Sequence, residues 1–536
     1  MKPPSAFGRE NYIGMNMDLI IHNAKIYTVD EKFSTVESFA VKDGKIAATG
    51  KSKYILEKYS ADKIIDFNGK YIYPGFIDPH SHFYDYGKIL LNADLTGACS
   101  FEEIIEILLD HKKKRESDWI TGHGWDQNKW KVQKYPTRDQ LDRAFPDTPV
   151  VLTRTCTHAA LANTEALRRS GIDPGKSDEY VSQFLSEKGK LTGVVAGSAK
   201  NLLMNQIPEP GSKDILRGLK MAQEKCFAAG LTTVCNAGDE KRTIELLDSY
   251  QKKGDLKIRI YSMLKPVKEN FEAFMYKGVY RTDRLNVCSV KLFADGALGS
   301  RGALLIEPYC DDTGSNGLHA ETPENMRSIS EKAFSYGYQV NTHCIGDLAA
   351  RVVLDIYGSI LKGPNDKRWR IEHAQIIHPA DLDRFGKYSV IPSVQAIHAM
   401  SDMEWAVKRI GRERMKHSYI YKDLLNQNGW LANGSDFPVE PVNPLLGFYA
   451  AVARKNEKGH PPGGFQTENA LSREEALRSM TIWAARANFE DAVKGTIEPG
   501  KYADFVITND DIMETGIDNI KNIYIINTFL GGEKVN

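Results

Sequence analysis

Pro74-Gly75-Phe76-Ile77-Asp78-Pro79-His80-Ser81-His82 is the stretch on which the reading of this chain turns. The apolar run Ile72–Ile77 reads as a strand ending on two histidines. Side chains two apart on an extended segment face the same way, so His80 and His82 can grip one cation together. Imidazole suits zinc and similar borderline metals. On its own, such a pair also serves as ordinary surface or packed histidines.

Outward from this stretch, strand-like and helix-like segments alternate, which implies a parallel sheet. The strand candidates are Ile72–Ile77, Val150–Arg154, Thr232–Asn236, Ser289–Phe293, Gln339–Thr342, Arg370–Glu372, Val390–Val394 and Gly429–Asn433. The helix candidates are Phe101–Lys113, Ser212–Ala229, Glu324–Tyr336, Ala349–Lys362 and Arg473–Asn488. With 536 residues, the chain suits one α/β (β/α)₈ barrel of the TIM type plus a smaller domain. Residues 118–201 exceed one strand–helix unit and read as an insertion over the barrel mouth.

Both ends are rich in short strands. Asp43-Gly44 marks a hairpin, Asn68-Gly69 repeats the pattern, and residues 17–74 read as an antiparallel β segment. Phe505 to Thr508 and Ile523 to Leu530 are strand-like, with a turn at Gly531-Gly532. Neither end suffices for a stable sheet of its own. The expected plan is therefore an extension at 1–16, a small composite β-sandwich from 17–74 and 490–536, and a barrel at 75–489.

Further metal-ligating types end other apolar runs: Lys291, His343, His373 and Asp436. In a barrel, residues at C-terminal strand ends converge on one mouth. His343 and His373 are 30 residues apart, near one strand–helix–strand step, and Asp436 follows 63 later, room for two. Singly, a histidine there is often a structural residue and an aspartate after Gly-Ser a turn or helix cap. All of them together require several coincidences.

At this point the sequence resembles the amidohydrolase superfamily, and more closely the YtcJ-like branch of amidohydrolase family 3, which includes N-substituted formamide deformylases. The matching stretches are Pro74–His82, Gly122–Gln127, Val290–Ala303, Asn341–Asp347, Arg370–Gln375, Gly434–Val439 and Gly495–Asp504. The resemblance implies a metal-dependent hydrolase of carbon–nitrogen bonds other than peptide bonds. It implies that His80 and His82 bind one metal and His343 and His373 a second. Asp436 would touch the metal and the hydrolytic water. Lys291 matches the position of a carboxylated lysine that bridges two divalent metals, zinc foremost, as a carbamate formed from carbon dioxide. An unmodified Lys291 paired with Asp295 is the alternative, and the site would then be mononuclear.

Candidate substrate groups are His123 and Trp125 in Gly122-His123-Gly124-Trp125-Asp126, and Asp295 and Arg301 in a glycine-rich loop. Arg301 binds a carboxylate or ties down that loop. His158 (with Asn163) and His398 (following Gln395) complete the set. Glu372 alternates with His373 and is expected to face the helical layer. The competing functions are a mononuclear deaminase, an ester or carbamate hydrolase on the same barrel, and a catalytically silent scaffold.

Lys+Arg and Asp+Glu both number 70, so no electrostatic footprint points to nucleic acid or an anionic membrane. The expected partner is a small-molecule substrate, with a homodimer the default oligomer. Seven cysteines form no CxxC pair, which suits a reducing compartment. No apolar segment reaches membrane-span length. A cytoplasmic location is expected unless an export signal has been removed.

Overall fold

The computed structural model describes residues 16–114, 117–155, 159–173, 184–187, 190–196 and 199–536. Eight strands form one parallel ladder: β1 (Phe76–Asp78), β2 (Leu231–Asp239), β3 (Arg259–Leu264), β4 (Leu285–Phe293), β5 (Gln339–Cys344), β6 (Arg370–His373), β7 (Ile391–Val394) and β8 (Ala432–Asn433). They pair in this order. The two ends meet through side-chain and loop bonds. The Ser435 hydroxyl donates to Asp78 at 2.6 Å, Asp436 N donates to the His80 carbonyl at 2.9 Å, and His82 N to the Phe437 carbonyl at 2.8 Å. The result is a nearly closed barrel whose strands are almost wholly buried, as a sheet covered on both faces requires.

Two strand assignments change. Val150–Arg154 is not a barrel strand; it pairs antiparallel with Ala159–Ala162 in another sheet. Its apolar run has barrel-strand character, but pairing partners are invisible to periodicity. β3 (Arg-Ile-Tyr-Ser-Met-Leu) was missed because it opens on an arginine and carries a serine, yet all six residues are buried. Helix Arg473–Asn488 is two helices, Arg473–Ser479 and Ile482–Ala487.

Strands from both chain ends build two further sheets. One runs in the order Lys45–Gly50, Ser38–Lys42, Asn16–His22, Ser60–Asp66; the other Glu533–Lys534, Ile525–Leu530, Phe505–Thr508, Tyr71–Pro74, Lys25–Tyr27, Thr35–Val36. Leu19, Ile21, Phe39 and Val41 pack with Ile26, Ile72, Phe505 and Phe529 in one apolar cluster. Residues 17–74 are not purely antiparallel: Asn16–His22 runs parallel to Ser60–Asp66, and Lys25–Tyr27 parallel to Tyr71–Pro74. Asp43 and Gly44 (φ 50° and 72°) do turn a hairpin. Asn68 and Gly69 share that geometry but step from one sheet to the other.

Asp504, closing the Gly495–Asp504 stretch, ties this sandwich to the barrel. Its buried carboxylate accepts from Arg259 of β3 at Nε (2.7 Å) and Nη2 (3.0 Å), and from Gly531 N (2.8 Å). Burial alone would raise this carboxyl, but Arg259 outweighs it and holds the group below the usual carboxylate range. Asp504→Ala is expected to cost about 3–5 kcal/mol, because Arg259 is left buried and uncompensated. A urea melt checks this. A depressed folded-state carboxyl stabilises above its unfolded pKa, so this contribution is lost as pH falls through the folded value.

The second compact unit, residues 85–221, holds a six-stranded sheet ordered Phe184–Glu187, Lys190–Ala196, Ala159–Ala162, Val150–Arg154, Ile120–Trp125, Ala93–Asp94. Residues 118–201 lie within it. Six described cysteines are free, and no described helix is long and apolar enough to cross a membrane.

Candidate metal centre

The barrel brings all six predicted ligand residues to one cavity of about 400 Å³. His80 and His82 follow β1, and Asp436 follows β8. His82 Nε2 lies 3.2 Å and His80 Nε2 3.5 Å from Asp436 Oδ1. Lys291 Nζ on β4 lies 3.3 Å from His80 Nε2. The His373 ring sits 4.8 Å from that of His80 and 4.5 Å from that of His343. Nitrogen and oxygen atoms of His80, His373 and Asp436 lie within 4.8 Å of one another.

Supporting groups fix these side chains. Glu372 does not face the helical layer: it is fully buried and its Oε2 lies 2.5 Å from His80 Nδ1. The expectation failed because His373 ends the strand with φ 72°, which breaks the alternation between the two residues. Burial works to raise Glu372, but His80 and Arg370 prevail and hold its carboxyl at about 2. A carboxylate on the far nitrogen of a histidine orients the ring and raises its basicity toward a metal. Gln395 Oε1 does the same positional work at His373 Nδ1, at 2.7 Å.

Asp78 accepts from His80 N and Ser435, clasping the two ligand loops; burial pushes its carboxyl up to about 7. Gly434 is required there, since a Cβ would lie 2.6 Å from Asp78 Oδ1 and 3.0 Å from His80 N. Asp436 itself has φ 62°. Non-glycine residues in that region cost free energy, and they persist where surrounding structure over-determines them.

The donor set fits a divalent cation. Burial, reinforced by the neighbouring Lys291 charge, pushes His343 down to about 3, and His373 falls far below its ordinary value from burial and His343. Both shifts favour the neutral ring, the form that ligates. His343 Nε2 and Asp436 Oδ1 are buried with no hydrogen bond. Other buried polar atoms share that lack, but these two stand in a cluster of ligand-type side chains, His343 Nε2 3.6 Å from Asp295 Oδ1 and Asp436 Oδ1 3.2 Å from His82 Nε2, an arrangement that suits a cation.

A family model described as the amidohydrolase family matches residues 63–535. The chain belongs to that family. Among its amidohydrolase relatives, the putative amidohydrolase YtcJ of Bacillus subtilis is 30% identical, with 97% of this chain and 99% of that protein covered. N-substituted formamide deformylase of Arthrobacter pascens is 24% identical over 96% of this chain and 97% of its own. An uncharacterized metal-dependent hydrolase from Pyrococcus horikoshii is 31% identical with a TM-score of 0.78, covering 93% of this chain and 99% of that one.

The predicted substrate groups of this amidohydrolase are scattered. His398 lines the cavity, its Nε2 3.8 Å from Asp436 Oδ2 and its ring stacked 5.9 Å from His373. Asp295 does not line it and does not pair with Lys291. Its oxygens accept from the backbone N–H groups of Leu304, Ile345 and Gly346, which shapes the loop. Arg301 is bound to Asp311, tying down the loop. Trp125 is a core residue of the second unit whose indole donates to the Leu152 carbonyl at 2.9 Å. His123 lies on the same strand, Ile120–Trp125, 4.0 Å from Asp94. Asn163 is buried, bonding Phe145, Thr148 and Val150, rather than lining a pocket. His158 lies outside the described residues.

Sequence reading missed Asp78 and Ser435 as clasp residues. An acidic residue closing an apolar strand, two before a histidine pair, is the signal that could have found Asp78.

Proposed function

We propose that this metal-dependent hydrolase of the amidohydrolase family cleaves a carbon–nitrogen bond in a small amide, formamide or cyclic amide. The observation that carries this reading is the convergence of six side chains on one cavity, with Asp436 Oδ1 and His343 Nε2 left without hydrogen bonds. The likeness to a formamide deformylase over nearly the whole chain supports the bond type.

In this reading His80, His82, His343, His373, Lys291 and Asp436 hold two divalent ions, zinc foremost. The ions would bring a water's pKa toward ~7 and polarise the substrate carbonyl. Asp436 takes the water proton as general base and returns it to the leaving nitrogen as general acid. Glu372 holds the His80 ring so that Nε2 faces the cavity.

Lys291 carries a carbamate in this reading. It is 1% exposed, and burial lowers its ammonium below the ordinary value. Among the described residues, no carboxylate lies within ion-pair distance of its Nζ. A neutral amine can add its lone pair to the carbon of CO₂, forming an N–C bond and releasing one proton. The product is an anionic oxygen ligand in place of a cation.

The test is a hydrolysis screen of N-formyl and N-acyl compounds with zinc-loaded protein, with matched esters as controls. Turnover of amides supports the reading; turnover of esters alone, or of exocyclic amines from heterocycles, sinks it. Glu372→Gln is expected to weaken metal affinity by roughly 10–100-fold, read by competition with a chromogenic chelator.

A further inference from the structure

The same cavity has a second pole. Helix Ala396–Asp402 carries His398 and Asp402 four residues apart, hence on one face and ~6 Å apart along the axis. His398 reaches Asp436, so the helix measures out from the metal-ligand cluster to Asp402. Asp402 lines the cavity, held by the Tyr419 hydroxyl (2.8 Å) and Gln375 Nε2 (3.3 Å), both donating to Oδ2. No hydrogen bond among the described residues reaches its Oδ1. Burial raises this carboxyl to about 6 against the opposing pull of His398 and the Tyr419 hydrogen bond, with Glu440 adding a smaller upward push.

Glu440 lines the cavity as well and has no ion pair or hydrogen bond among the described residues. Phe293, Leu298, Ile345 and Trp405 line the same cavity. The lining contains no arginine, and its one lysine, Lys291, sits among the histidines. Two carboxylates thus face an aromatic-walled space of ligand size that no arginine lines and whose one lysine sits at the other pole; His398, one turn away on the same helix, is the group of opposite charge that acts on Asp402. Asp436, whose Oδ1 has no hydrogen bond, lines the same space at the metal-ligand end.

We propose that the substrate carries a protonated amine, separated from its scissile group by about one helical turn, and that Asp402 and Glu440 bind it. The inference rests on the metal-centre reading above. Trp405 adds an indole face, the best aromatic partner for a cation. The same charges repel substrates ending in a carboxylate, so simple N-acyl amino acids are excluded.

The test is calorimetry of the metal-loaded enzyme with three hydroxamates, whose metal-seeking heads are identical and whose matched tails end in an amine, a hydroxyl or a carboxylate. The amine tail is expected to bind at least ~10-fold tighter than the hydroxyl, as one charge-assisted hydrogen bond provides, and the carboxylate tail weakest. Asp402→Asn and Glu440→Gln should each shrink the amine-to-hydroxyl ratio, and the second leaves the Tyr419–Gln375–Asp402 network untouched. Equal binding of amine and hydroxyl, or a ratio that neither variant alters, overturns this inference alone. No binding by any of the three overturns the metal reading and this inference with it.

Discussion

Asp436→Asn is expected to lower kcat by roughly 10²–10⁴-fold, the usual contribution of a positioned general base, with metal content unchanged. The amide is nearly isosteric and keeps an oxygen to offer a cation. The backbone bond from position 436 to the His80 carbonyl does not involve the side chain. What disappears is the capacity to accept a proton at an atom 3.2 Å from His82 Nε2. Steady-state kinetics beside metal analysis separate the two effects. Near-normal turnover would remove Asp436 from the chemistry, and loss of metal with turnover would make it chiefly a ligand.

Lys291→Met should be comparably severe for a different reason. Methionine fills the buried space of the lysine stem but cannot form a carbamate. If a carbamate bridges two ions, the variant should lose one metal equivalent and at least ~100-fold in activity, since even supporting residues around a ligand are worth up to that much. Wild-type protein grown with isotope-labelled bicarbonate should show a labelled carbamate by NMR, and the variant should not. One equivalent in both proteins would favour a single ion held by His80, His373 and Asp436, whose ligand atoms lie within 4.8 Å of one another.

Much of this site was legible in the sequence because barrel geometry converts strand order into spatial convergence. His80, His82, His343, His373 and Asp436 stand at or just beyond strand ends and Lys291 two residues before the end of β4, and that placement brings them together. What stayed hidden depends on partners rather than on local pattern. Glu372 was assigned to the wrong face because strict alternation fails where His373 turns to positive φ. Nothing local marks Arg259 as buried, because its counter-charge, Asp504, lies 245 positions away. Val150–Arg154 has the composition of a buried parallel strand and does pair parallel with Ile120–Trp125, but its other neighbour, Ala159–Ala162, is antiparallel and the sheet is not the barrel's. Trp125 resembled a pocket residue for want of any signal that Leu152 accepts its indole proton.

The account is tested most directly by counting divalent metal ions per folded chain, by plasma mass spectrometry after exhaustive dialysis of zinc-loaded protein. About two equivalents retained is the predicted result for a carbamate-bridged pair. Folded protein that keeps none would contradict the claim that these buried histidines, Lys291 and Asp436 exist to hold cations.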